Sequence, residues 1–299
     1  MIVMRSAVAL MAVMLLLIPV PTGAWGMEVH RFLMKRAIDG LPQELKPFYT
    51  TQREFIAEHV VDPDLWRVVD LMGPRGVEEP NHFLDIDGLD EPRPFTNVPR
   101  DWDAYVARYG AERANRMGRL PWRIEEIYGK LVKAFQEIAT RPYAADNTRY
   151  LSAVLAHYVQ DAHQPFHAVM NYDGQLTNQR GIHSRFETEL VLRNLTNLEQ
   201  APVDIGPIGT IRDFAFQTIV TSESLVQGVL DADLKARTGR ELYDDGYFAA
   251  LLARARPTLE RRLNESVSAT ASVIVAAWTA AGKPALPVDR TSTPARIPR

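Results

Sequence analysis

An all-α fold built as one multi-helix domain is what this 299-residue sequence predicts. Apolar residues recur at helical spacing through most of the chain, no stretch alternates apolar and polar residues with period two, and prolines and glycines stand where helices start or stop. Residues 1–24 come first: Arg5, an apolar run from Ala7 to Val20, then Pro21, Thr22, Gly23 and Ala24. That order reads as a secretory signal peptide, too short in its apolar part for a transmembrane anchor, so the mature chain is expected to begin at Trp25 in a secreted or periplasmic protein.

From Trp25 the helices follow in turn. Val29, Phe32, Leu33 and Ala37 form one stripe, closed by Gly40 and Pro42; Trp102, Tyr105, Val106 and Tyr109 form a second. Pro121 opens a third helix, where its missing amide hydrogen costs nothing, and Ile127, Leu131, Ala134 and Ile138 continue it. Leu151, Val154, Leu155, Tyr158 and Val159 mark a fourth. Further helices are predicted over 184–193, from 211 to about 236, and over 246–281 with a break or kink at Pro257. Residues 72–100 are rich in Pro, Gly and Asp and too long for a plain connector, which marks a functional loop. The domain is expected to span 25–282, followed by a disordered proline-rich tail over 283–299.

Composition narrows the function classes. With 46% hydrophobic and 24% charged residues the chain is unlike disordered, collagenous or multispanning proteins. A formal charge of −3 lacks the cationic field of a non-specific duplex binder. No cysteine is present, so an exported chain must rely on its core rather than on disulfides, and a monomer of this length buries enough apolar surface to do so.

The chemistry lies in the histidines. His157 and Asp161 stand four residues apart on one helix, so both side chains reach the same ion; His183 and Glu187 repeat the spacing, and His167 follows helix-breaking Pro165. Taken singly, each pair reads as a surface contact before it reads as a metal site. His157 and Asp161 flank the apolar stripe, however, and a buried carboxylate without a partner costs several kcal/mol, roughly what a bound metal offsets. Upstream lie Asp62-Pro63-Asp64-Leu65-Trp66-Arg67 and Pro80-Asn81-His82-Phe83-Leu84-Asp85. Asp62 and Asp64 both flank Pro63 and remain rivals. The acidic stretch Asp85–Asp90 misses the ligand spacing of a calcium loop.

The order Trp25, His30, Asp64, His82, His157, Asp161, His167, His183, Glu187, with the block Leu155 to His167, resembles the trinuclear-zinc superfamily of bacterial phospholipase C and single-strand-specific nucleases of the S-one/P-one type. The resemblance covers more than half of the mature chain and is silent beyond about residue 195. It implies three zinc ions: one on Asp64, His82, His157 and Asp161; one on His167, His183 and Glu187; and one on His30, a bridging Asp161 and the amine and carbonyl of Trp25. His59 and His163 match no ligand position.

The same resemblance implies a phosphodiesterase that attacks phosphorus with a metal-activated water, Asp64 assisting and Arg67 neutralising phosphate charge. Arg67 reads equally as a surface salt-bridge residue. Phe83 and Asp85 stand where nucleases of this type stack a nucleobase and bond its edge. Single-stranded nucleic acid or nucleotides are the leading substrate class, with endonuclease and 3′-nucleotidase action. Phospholipid, cleaved as by a phospholipase C, is the alternative. A non-catalytic zinc-binding export protein is the reading from a different class.

Overall fold

The computed structural model describes residues 25–70 and 77–288, and the expected signal peptide lies outside them. Among the described residues every regular element is helical: α1 (Met27–Asp39), α2 (Lys46–Thr50), α3 (Arg53–His59), α4 (Asp62–Asp70), α5 (Trp102–Tyr109), α6 (Ala111–Met117), α7 (Leu120–Glu137), α8 (Ala144–Ala162), α9 (Ile182–Ser184), α10 (Leu190–Asn194), α11 (Ile211–Arg237) and α12 (Asp245–Ala280). Tight 3-10 turns cover Glu79–Asn81, Ile86–Leu89 and Pro165–Ala168. The all-α expectation holds.

Helix α8 explains the architecture. Nearly its whole surface is buried, and α1, α3, α4, α7, α11 and α12 all pack on it. Leu155 and Val159 are fully enclosed, each contributing about 1.5–3 kcal/mol of apolar burial. One continuous core runs from Trp25 to Ala277. Its middle is not purely apolar, because His157, Gln160 and Asp161 on α8 are as buried as the aliphatic residues beside them.

Several elements differ from the sequence reading. Helices α2 and α3 are too short for periodicity to reveal. Pro63 stands in the first turn of α4, where no amide hydrogen is needed. Pro257 does not break α12, which runs unbroken on both sides of it. Leu251, Ala255, Leu259 and Leu263 are all buried, and this packing outweighs the single lost backbone hydrogen bond. The helix predicted over 184–193 is instead α9, a widened π turn over Arg185–Glu189, and α10. Beyond α12, Trp278 Nε1 donates to the Pro284 carbonyl at 3.0 Å, so the segment after 282 begins docked against the helix end. Residues 289–299 lie outside the described chain, as do 71–76 of the long loop. No described helix is long and apolar enough to cross a membrane.

Candidate metal centre

Where α8 ends, the chain folds a set of buried donors onto a single floor. His157 and Asp161 project from one face of α8, and the Gln164 side chain accepts from the Phe166 amide at 2.6 Å, capping the 3-10 turn that carries His167. The loop between α4 and α5 brings His82. Its path is fixed by a close approach: Leu84 pairs with Gly118, and a Cβ on Gly118 would lie 2.1 Å from the Phe83 carbonyl oxygen. Gly118 also has φ +100°, so only glycine fits there.

Three groups of donors can each hold a metal ion: His30, His157 and Asp161; Asp64, His82 and His157; and His167, His183 and Glu187. In the last, the Nε2 atoms of His167 and His183 are 3.2 Å apart, and His183 Nε2 is 3.0 Å from Glu187 Oε2. In the middle group, Asp64 Oδ1 lies 3.9 Å from both His82 Nδ1 and His157 Nε2. Asp161 links the groups, with Oδ2 at 2.9 Å from His82 Nδ1 and 3.3 Å from His157 Nε2, and Oδ1 at 3.6 Å from His30 Nε2 and 3.7 Å from His167 Nδ1.

The rings are locked from behind, as ligand imidazoles generally are. His157 Nδ1 donates to the Val60 carbonyl at 2.9 Å, His167 Nδ1 to the His82 carbonyl at 2.7 Å, and His183 Nδ1 to the Tyr172 carbonyl at 2.9 Å. A carbonyl can only accept, so each Nδ1 carries hydrogen and each Nε2 is left to present its lone pair. His30 Nδ1 donates to Gln160 Oε1 at 2.6 Å, while the Gln160 main-chain oxygen accepts from Trp25 Nε1 at 2.8 Å. Gln164 Nε2 holds Glu187 Oε2 at 2.9 Å.

Electrostatics favour a cation here. Asp64 Oδ2, Asp161 Oδ1 and Glu187 Oε1 are buried oxygens with no hydrogen-bond partner among the described residues. Burial pushes the Asp64 carboxyl up to about 6, despite His157 nearby, and drives Asp161 well above the usual carboxylate range. Burial and neighbouring imidazoles hold His82 and His167 well below the usual histidine value. Burial would lower His183 as well, but Glu187 outweighs it and raises that ring. Buried, partnerless carboxylate oxygens among neutral imidazoles are the donor set that divalent zinc takes, so the residues fit such an ion.

A cleft of about 500 Å³ opens onto this floor, lined by Arg67, His82, Phe83, Asp85, His167, Tyr172 and His183 among others. Arg67 Nη1 lies 3.3 Å from Asp64 Oδ1. Asp85 is buried, its Oδ1 has no hydrogen-bond partner among the described residues, and burial together with Asp87 raises its carboxyl to about 8.

Every expected site residue from His30 to Glu187 therefore converges here, and Trp25 is packed against the backbone of Gln160. Asp62 does not converge: it pairs with His59 at 2.9 Å, away from the donor groups, which resolves its rivalry with Asp64. His163 is buried beside Arg262, which donates to its carbonyl at 2.9 Å. The other acids of the 85–90 stretch are engaged elsewhere, Asp87 with the Met170 amide and Asp90 with Arg113. Sequence reasoning missed Gln160, Gln164 and Glu78. The two glutamines carried a signal, as polar residues within the strongly patterned block 155–167; Glu78, in a polar loop, carried none.

Neither the models of known protein families nor the curated proteins match this chain.

Proposed function

We propose that the protein is an exported, zinc-dependent phosphoric ester hydrolase of the phospholipase C and single-strand nuclease type, acting on single-stranded nucleic acid or nucleotides. The observation that carries this reading is the cleft: its floor is the donor cluster, and its walls hold a guanidinium, an aromatic ring and a carboxyl with a spare oxygen. Phosphate needs the first two features, and a nucleobase needs the last two.

Zinc, when bound, supplies Lewis acidity toward phosphoryl oxygens and an activated water. The chain's own residues do the rest. Asp64, Asp161 and Glu187 with the five imidazoles from His30 to His183 hold the ions. Arg67 pairs with a non-bridging phosphoryl oxygen. Asp64 accepts a hydrogen bond from the attacking water and aligns it with phosphorus. Phe83 stacks on a base and Asp85 bonds its edge.

One observation favours phospholipid as a second reading. Met170, Tyr172 and Leu176 line the same cleft and are exposed, giving it an apolar rim suited to a lipid surface. The test is an assay panel on zinc-loaded protein beginning at Trp25, with single-stranded DNA, RNA, a 3′-nucleotide and phosphatidylcholine. Turnover of the first three supports the proposal, and turnover of phosphatidylcholine alone replaces it by the second reading. No turnover with zinc bound leaves a zinc-binding export protein.

A further inference from the structure

Among the five imidazoles of the cluster, four have a neutral oxygen behind them: a backbone carbonyl for His157, His167 and His183, and an amide oxygen for His30. His82 is different. Its Nδ1 faces the donors, and its other nitrogen, Nε2, is buried with no hydrogen-bond partner among the described residues, 3.6 Å from Glu78 Oε1. Glu78 is itself enclosed and held from three sides. The Tyr158 hydroxyl donates to Oε1, Asn81 Nδ2 donates to Oε2 at 3.1 Å, and Arg123 Nη2 lies 3.5 Å from Oε2. Arg123 also stacks over the Tyr158 ring at 5.2 Å, and that ring packs at 5.5 Å against both His82 and His157. So Glu78 ties α7, α8 and the long loop together at the back of one ligand.

We propose that Glu78 is a positioning carboxylate for His82, and that Glu78 and Tyr158 together set how tightly the group Asp64, His82 and His157 holds its metal ion. When Nδ1 turns its lone pair to a cation, the ring proton must reside on Nε2, and that proton then faces a carboxylate rather than a neutral oxygen. A carboxylate partner makes the imidazole a stronger donor and fixes the ring plane, and losing such a partner typically weakens metal binding about 10–100-fold. Glu78 touches neither substrate nor metal. The inference rests on the metal-binding reading of the cluster and is independent of the substrate.

The experiment is competition for zinc between the protein beginning at Trp25 and a series of chelators of graded affinity, for wild type, Glu78→Gln, Tyr158→Phe and the exposed control Glu58→Gln. Thermal unfolding of each metal-free form is measured alongside. Glu78→Gln is expected to release one class of zinc about 10–100-fold more readily while the remaining zinc is held as in wild type. Tyr158→Phe should shift the same class by less, and Glu58→Gln should shift nothing. Zinc retention by Glu78→Gln equal to wild type overturns the proposal. So does equal weakening of every class in step with lower metal-free stability, which is a general structural role. Should Glu78→Gln fail to fold, Tyr158→Phe decides alone. Wild type that binds no zinc defeats the metal reading itself.

Discussion

The Nε2 atoms of His167 and His183 face each other at 3.2 Å while each ring gives its Nδ1 hydrogen to a backbone carbonyl. Two lone pairs at that separation repel unless a cation, or a proton shared with Glu187, lies between them. The backbone thus holds an arrangement that zinc stabilises. Zinc at about 1,000 times its dissociation constant should add about 4 kcal/mol of stability per site. Chelation should lower the melting temperature by about 10 °C for each site emptied and abolish hydrolysis, and zinc analysis of gently purified protein should return about three ions per chain. Content of one ion or none would sink the three-site reading.

Asp161 should behave in opposite ways with and without metal. Its carboxyl is fully buried and its pKa is raised well above normal, chiefly by burial, so without metal the charge opposes folding at neutral pH. A raised folded value means that its contribution to stability is full below the unfolded value and is lost as pH rises toward the folded one. Asp161→Asn is therefore expected to make the metal-free protein about 1–3 kcal/mol more stable at pH 7. The same change should remove most of the zinc-dependent stabilisation. Denaturant titrations in chelator and in zinc check both halves, and a variant equally stabilised by zinc contradicts the linking role of Asp161.

How much of this was legible depended on where each signal lay. The block from Leu155 to His167 announced itself because a helix carries ligands four residues apart on one face, and α8 does so. Asp62 and Asp64 were indistinguishable as neighbours of Pro63. Once Pro63 belongs to α4, two residues of helix turn Asp64 about 200° away from Asp62, and only one of them can face the cluster. The backing interactions stayed hidden for a different reason: Val60, Tyr172 and His82 contribute carbonyl groups, which no sequence distinguishes. The π turn over Arg185–Glu189 was equally silent, although Arg185 reveals its anchor, donating to Tyr247 Oη at 3.0 Å and meeting Asp233 at 3.2 Å.

Asp64 and Asp62 give a paired test. Asp64→Asn should lose at least one zinc equivalent and most activity, because its unpartnered Oδ2 is inside the cluster. Asp62→Asn weakens part-buried contacts with His59 and Tyr150, away from the donor groups, worth about 1 kcal/mol, and should keep zinc and turnover at wild-type levels.

Phe83 and Asp85 separate binding from chemistry. Stacking is worth roughly 1–3 kcal/mol per base and is uniform to first order between ground and transition states, so Phe83→Ala should raise KM for nucleic acid far more than it lowers kcat. Asp85, raised to about 8, is protonated at pH 6 and ionised at pH 9, so the hydrogen it can donate to a base edge disappears across that interval. KM of the wild type should rise between pH 6 and pH 9, and that of Asp85→Asn should change less. Normal nucleic-acid cleavage by Phe83→Ala combined with lost phospholipid turnover would transfer the substrate assignment to lipid.

Gln160 holds both ends of the remaining group. Its side chain meets His30 Nδ1 at 2.6 Å, its carbonyl accepts from Trp25 Nε1 at 2.8 Å, and Asp161 follows it in the chain. The buried Trp25 ring is thereby fastened one residue from the carboxylate that links the donor groups. A backbone nitrogen at Trp25 can serve as a ligand only as a free amine, because in a peptide its lone pair is delocalised into the amide. The amine titrates near pH 7.7–8.0 when unperturbed and must lose its proton to bind zinc, so occupancy of this group should fall in mild acid. The comparison is between protein beginning at Trp25 and protein with one extra Met before it. The extension keeps the Trp25 ring and its bond to Gln160 but turns the amine into an amide, so it should lose one class of zinc and much of the activity while leaving the melting temperature in chelator unchanged. Equal zinc content and equal hydrolysis in the two forms would reduce Trp25 to a packing residue.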